Sequence, residues 1–254
     1  MKTILITGAS NGIGYEMFKI LRKKEYKLVL VSRNEEQLRK IKDESPNKDL
    51  IEIIPIDLSK EDAAQRLFDK CLENEIEVDI LINNAGFGIF GESISMDNKR
   101  LKQMLTLNMI TLASLCNLFG EKMKQLGSGN ILNVASTAAY QPLPYFSAYA
   151  ATKAFVLSFS FGLREEFKKH NINVSVLSPG PTKTRFFAVA QAKTEGILFS
   201  SKNQHTAKEV AEIGLKAMFS GKKVVIPGMR NKIMKVFSFL VPASATAKIM
   251  EKQI

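Results

Sequence analysis

Tyr149 and Lys153 stand four residues apart in "SAYAATKAF", a run of small, helix-favouring residues. On a helix, positions i and i+4 are neighbours on one face, so a phenol and an ammonium would lie side by side. A free tyrosine titrates near ~10 and is a poor base at neutral pH. A positive charge beside it favours the phenolate and lowers that value. Such a pair suits a group that gives a proton to a carbonyl oxygen or takes one from an alcohol. The spacing alone is a weak signal, because both residue types are ordinary on helix surfaces.

A second constellation sits near the amino terminus. "TGASNGIG", Thr7 to Gly14, joins the apolar run "TILIT" to the helical pattern "IGYEMFKILRKK". Gly8, Gly12 and Gly14 allow a tight turn and close backbone approach to a pyrophosphate. The helix amino terminus supplies N–H donors and the positive end of a dipole. The next apolar run, "KLVLVS", ends in Ser32-Arg33-Asn34 with no acid to hold a ribose hydroxyl. Ser32 can hydrogen-bond a phosphate oxygen and Arg33 can pair with its charge, unless Arg33 is merely exposed on the turn. NADP(H) is therefore the expected cofactor, with NAD(H) possible. Asp57, in "IDLS", either meets the adenine edge or serves as a turn former.

The elements that would position these residues alternate along the chain. Seven short apolar runs, from "TILIT" to "KKVVIPG", are separated by segments of helical periodicity, with long helices expected over about 100–126 and 149–169. Strands apolar at nearly every position belong to a sheet covered on both faces. Strict alternation implies right-handed crossovers and a doubly wound, Rossmann-type α/β fold with a parallel sheet of about seven strands. Ligands of such sheets sit beyond the carboxyl ends of the strands. The glycine turn, "NNAG", Ser136 and "SPG" all fall there.

Composition narrows the class further. The chain has 254 residues, 45% of them hydrophobic and 24% charged, without repeats, linkers or low-complexity segments, so one domain over 1–254 is expected. The opening "MKTILITGAS" reads as a buried strand, and no apolar run approaches the ~20 residues of a membrane span. Cys71 and Cys116 lie in helical patterns without metal spacing, as buried reduced thiols of a cytoplasmic protein would. His170 and His205 lack ligand partners at suitable spacing, so no metal is expected. The net charge of +11 is scattered over polar helix faces. It reads as a solvated surface or as attraction to an anionic partner; no nucleic-acid motif accompanies it.

Taken together, the motifs resemble the short-chain dehydrogenase/reductase family. They are TGxxxGxG at Thr7 to Gly14, "NNAG" at Asn83 to Gly86, Asn108 in "LTLN", Ser136 in "NVAS", Tyr149 with Lys153, and "SPG" at Ser178 to Gly180. "NNAGFGIFG", "YAATKAFVLSFS" and the tail are similar to a bacterial subgroup of DltE-like reductases, and more distantly to hydroxysteroid and 3-ketoacyl reductases. The resemblance implies hydride transfer between NAD(P)(H) and a carbonyl or alcohol carbon, with Asn108, Ser136, Tyr149 and Lys153 as catalytic tetrad. Ser136 would orient the substrate oxygen, Lys153 would reach the nicotinamide ribose, and Asn108 would hold a proton-relaying water. Cofactor contacts are implied for Gly8, Ser10, Asn11, Gly12, Ile13 and Gly14 in the first turn. Ser32, Arg33, Asp57 and Leu58 would follow, then Asn84, Ala85 and Gly86, and finally Pro179, Gly180, Thr182 and Thr184. Thr182 departs from the aliphatic residue common in the family, a change that a backbone contact tolerates. The competing expectation is a catalytically silent dinucleotide sensor acting through a protein partner, against which the intact Tyr149 and Lys153 argue.

Substrate contacts are expected from Phe87, Phe90, Gln141, Phe146, Phe186 and Phe187, with core or lid packing as the alternative for each aromatic ring. They would suit a lipophilic ketone or aldehyde. The family also implies a homodimer or homotetramer. The tail over about 230–254 is too apolar for a solvated helix at Ile233, Met234, Val236, Phe237, Phe239, Leu240 and Val241. It is expected to cover the substrate cleft or a subunit interface, in preference to lying on an anionic membrane.

Overall fold

The computed structural model describes residues 1–192 and 204–252. Seven strands build the main sheet: β1 (Lys2–Thr7), β2 (Tyr26–Ser32), β3 (Ile51–Pro55), β4 (Ile80–Asn83), β5 (Gly129–Val134), β6 (Ile172–Leu177) and β9 (Val224–Val225). Their order is β3-β2-β1-β4-β5-β6-β9, and every neighbouring pair is parallel. This is the doubly wound sheet expected from the alternation.

Period-two alternation divides the strand residues between two cores. Leu5, Val29, Leu81, Ile131 and Val174 face α3 (Ala63–Glu73), α5 (Leu112–Gln125) and α6 (Ser147–Lys168). Ile4, Ile6, Leu28, Ile80 and Leu132 face α1 (Gly12–Leu21), α2 (Glu35–Asp43) and α8 (Ala207–Phe219). Both faces are thus dry, which is why the strands read as continuous apolar runs. The chain winds outward from β1 to β3 and then returns to place β4 beside β1. That reversal opens a crevice between the turns that follow β1 and β4.

Four features differ from the sequence expectation. The helix expected over about 100–126 is instead α4 (Asn98–Leu105), a π-helical segment at Thr106–Thr111, and α5. A second, two-stranded parallel sheet pairs β7 (Thr182–Lys183) with β8 (His205–Thr206). A short helix, α7 (Phe186–Ala190), follows β7. The tail forms two helices, α9 (Met229–Leu240) and α10 (Ala243–Glu251), because Pro242 lacks an N–H and breaks the pattern between them. No described helix is long and apolar enough to cross a membrane.

Candidate active site

The glycine turn is held from behind by Asn84. Its side-chain amide donates to the carbonyls of Thr7 (2.9 Å) and Gly8 (3.2 Å), while Thr7 Oγ1 accepts from the amides of Asn84 and Ala85 (both 3.0 Å). Gly8 and Gly12 take φ of +68° and +58°, the left-handed region that favours glycine. The first turn of α1 carries no acid, and its N-cap Asn11 makes no side-chain cap bond. The amide N–H groups there are left for an anion. Gly14 does not line the crevice: a Cβ on it would strike Asn84 and come 2.5 Å from the Gly8 carbonyl oxygen. Its place is the contact of α1 with the turn, behind the surface a phosphate would meet.

Ser32 stands at the end of β2 and donates to Ser10 Oγ at 2.8 Å, so two hydroxyls meet beside Arg33. Asp57 accepts from the amide (3.0 Å) and hydroxyl (2.7 Å) of Ser59. Burial raises its pKa, but the Ser59 bonds and the charges of Arg33 and Lys60 outweigh that, leaving the carboxyl below its ordinary value. Asp57 is thus a turn former and also lines the cavity, as does Leu58.

One cavity of about 1300 Å³ joins all these groups to the candidate catalytic residues. Gly8, Ser10, Asn11, Gly12 and Ile13 line one end, with Ser32 and Arg33. Asn84, Ala85 and Gly86 also line it, as do Pro179, Gly180, Thr182 and Thr184, the last beside Gly12. Ser136, Tyr149 and Lys153 line the floor.

Tyr149 is buried on α6 and lines the cavity with Ser136. Burial pushes its phenol up to about 12, against the opposing effect of the Ser136 hydroxyl. Lys153 is buried one turn on; burial brings its ammonium down to about 8. Lys153 is not among the groups that shift the phenol: burial raises it, and only the Ser136 hydroxyl opposes that. Nζ donates to the Val134 carbonyl at 2.8 Å and lies 5.8 Å from the Tyr149 ring centroid. Desolvation disfavours the charged form of each group.

Asn108 falls in the π-helical segment, a distortion frequent at functional sites. It is buried and does not line the cavity. Its amide donates to the Phe87 carbonyl (3.0 Å) and Thr152 Oγ1 (3.1 Å), and its oxygen accepts from Phe87 N–H (3.3 Å). Asn108 thereby ties the irregular segment after "NNAG" to α6. A Cβ on Gly86 would meet Asn108 Oδ1 at 3.0 Å and Lys153 Nζ at 3.5 Å, so both groups converge on that glycine.

The far end of the cavity is aromatic. Phe87, Gln141, Phe146, Phe186 and Phe187 line it. Phe146 and Phe186 flank Tyr149 with ring centroids 5.9 and 5.2 Å away. Phe90 does not line it; its ring packs against Tyr145 and Phe146, making it support for the wall. Sequence reasoning missed Leu143, Arg100 and Met250. Met250, on α10, is buried against the cavity and accepts a hydrogen bond from Gln141 at 3.4 Å. Arg100, on α4, donates to Gln191 Oε1 at 2.9 Å and to the Val189 carbonyl, pinning the end of α7. No local sequence signal marks these contacts. Of the tail positions expected to cover the cleft, none on α9 is buried.

Fold and site together define a dinucleotide-dependent oxidoreductase of the hydride-transferring kind. Residues 2–195 match the model of the short chain dehydrogenase family, and the chain belongs to that family. The uncharacterized oxidoreductase YvrD of Bacillus subtilis is 33% identical over 184 residues, 72% of this chain and 69% of its own length. A very-long-chain 3-oxoacyl-CoA reductase of Rattus norvegicus is 28% identical over 238 residues, 91% of this chain and 74% of its own. Among solved structures, a short-chain dehydrogenase from Sphingobium yanoikuyae in complex with NADPH superposes with a TM-score of 0.81 at 27% identity, covering 94% of each chain.

Proposed function

We propose that the protein is an NADPH-dependent reductase of an apolar ketone or aldehyde, with Tyr149 as proton donor. The observation that carries this is the position of the Tyr149 hydroxyl. It lies with Ser136 in the lining of a cavity that also offers amides, hydroxyls, Arg33 and aromatic side chains. The uncapped, acid-free start of α1 and the Ser10–Ser32 pair beside Arg33 fit a dinucleotide bearing a 2′-phosphate. The NADPH complex of the Sphingobium yanoikuyae relative supports the same cofactor. When bound, that cofactor supplies the hydride.

The chain's own residues position the substrate and move the proton. Ser136 orients the substrate oxygen, and Tyr149 gives it a proton. A phenol held up at about 12 stays protonated at neutral pH, which suits the reductive direction. Lys153 keeps a positive charge beside the site and holds ribose hydroxyls. Phe186 and Phe187 bound an apolar substrate and exclude water. The likeness to a very-long-chain 3-oxoacyl-CoA reductase supports a lipophilic ketone.

NADPH oxidation across a panel of ketones and aldehydes of increasing apolar length tests the reading. Turnover is expected to favour the longer members. Tyr149→Phe is expected to fold and bind NADPH while losing roughly 10²–10⁴-fold in turnover. Wild-type rates in the folded variant would refute the proton-donor role. NADPH binding without turnover of any carbonyl would instead point to a silent dinucleotide sensor.

A further inference from the structure

Helix α9 is apolar on the side away from the protein. Met229, Ile233, Val236, Phe237 and Leu240 recur at i, i+4, i+7, i+8 and i+11, which is one helical stripe, and all five are exposed. Phe239 adds a further exposed ring at the stripe's edge. The side turned to the body carries Asn231, Met234, Lys235 and Ser238, each half-buried. Asn231 packs against Gly180, Lys235 lies over the Tyr140 ring at 5.2 Å, and Ser238 bonds back to its own helix. A surface helix of an isolated globular protein has the reverse polarity. The stripe is therefore an interaction surface.

Charge chooses its occupant. Arg230 and Lys232 are exposed and flank the stripe. Between Glu212 and Glu251 the chain carries no acid, while Lys216, Lys222, Lys223, Arg230, Lys232, Lys235 and Lys248 carry positive charge. A two-fold pairing of this face with its copy would bring these cations together with no carboxylate on either helix to meet them. An anionic lipid surface accepts both features: acyl chains take the stripe and headgroups take the cations.

The position of α9 agrees. It packs on residues 137–140, directly after Ser136, and α10 beyond it places Met250 in the wall of the aromatic end of the cavity. We infer that α9 docks the protein in the plane of an anionic membrane surface, with the substrate end of the cavity beside the bilayer. The docking of α9 rests on its exposed apolar face and flanking cations and holds whether or not the proposed carbonyl chemistry does; naming the neighbouring cavity end as the substrate end rests on that chemistry.

Flotation of the full-length protein tests it, with vesicles of phosphatidylcholine alone and of phosphatidylcholine containing about one third phosphatidylglycerol. The protein is expected to float with the anionic vesicles only, and less so as salt rises. Ile233→Asp/Phe237→Asp and Arg230→Glu/Lys232→Glu change exposed side chains and are expected to retain NADPH binding, which reports their folding. Each is expected to lower partitioning roughly tenfold or more. Failure of the wild type to float with anionic vesicles would overturn the inference. So would unchanged flotation of both folded variants. A wild-type dimer that does not float and that Ile233→Asp/Phe237→Asp converts to monomer would also overturn it, assigning the face to a second copy.

Discussion

Lys153 donates from Nζ to the carbonyl of Val134 at 2.8 Å, tying α6 to the end of β5 two residues before Ser136. This bond links the helix that carries Tyr149 and Lys153 to the strand that leads to Ser136. It also holds a largely buried cation, and that burial has a pH signature. The ammonium titrates at about 8 in the folded protein against an ordinary 10.5. Below about 8 both folded and unfolded chains are protonated, and the folded state bears the whole cost of the buried charge. As pH rises from about 8 toward 10.5 the folded state releases its proton first, so this contribution to stability increases. Lys153→Met is expected to be more stable than the wild type near neutral pH and to lose its turnover. Its stability advantage should shrink as pH rises above 8. Urea unfolding of both proteins from neutral pH to below the tyrosine range measures this; a pH-independent difference would contradict it.

Ser32 and Ser10 meet 2.8 Å apart at the end of β2 beside Arg33. A carboxylate at position 32 would repel a 2′-phosphate and accept from ribose hydroxyls instead. Charge-assisted hydrogen bonds are worth about 1.5–3 kcal/mol, so Ser32→Asp is expected to weaken NADPH binding roughly 10- to 100-fold and improve NADH binding. Fluorescence titration with both cofactors decides. Equal affinities in the wild type would remove the basis for an NADP(H) preference.

Two glycines of similar helical setting should respond oppositely to alanine. A Cβ on Gly14 comes 2.5 Å from the Gly8 carbonyl oxygen and strikes Asn84, so α1 must shift away from the turn. Gly14→Ala is expected to cost about 1–3 kcal/mol and to weaken cofactor binding. A Cβ on exposed Gly162, within α6, finds only Glu166 Oε1 at 3.9 Å. Gly162→Ala is expected to stabilise by about 0.5–1 kcal/mol with no change in cofactor affinity. Denaturant melts and NADPH titrations compare the two.

Arg100 spans from α4 to the end of α7, bonding Gln191 and the Val189 carbonyl. Without it, α7 keeps the Phe90 N–H to Ala190 carbonyl bond at 3.0 Å but loses its outer clasp. Arg100→Ala is expected to raise KM for apolar carbonyls several-fold, because Phe186 and Phe187 sit on the released helix, while NADPH affinity stays unchanged. Steady-state kinetics read against cofactor titration separate the two effects. An equal loss of NADPH affinity would show that Arg100 serves the whole cavity rather than α7.

Much of this protein is written in local patterns. Strand runs apolar at every position require a sheet covered on both faces, and their alternation with helical periodicity requires parallel order. Three glycines between β1 and α1 mark the phosphate turn because few other needs put them there. The i, i+4 spacing of Tyr149 and Lys153 puts them on one helical face whatever surrounds that face. Tertiary structure decided what local pattern does not encode. Asn84 reaches Gly8 across 76 residues, Arg100 reaches Gln191 across 91, and Gln141 reaches Met250 across 109. None of these separations leaves a period in the sequence. Burial likewise raises the Tyr149 phenol and lowers the Lys153 ammonium, shifts that their spacing alone does not indicate. The tail reads as apolar in sequence, but whether an apolar helix faces inward or outward depends on which surface of the fold it packs against. For α9, that packing left its apolar side facing away from the protein.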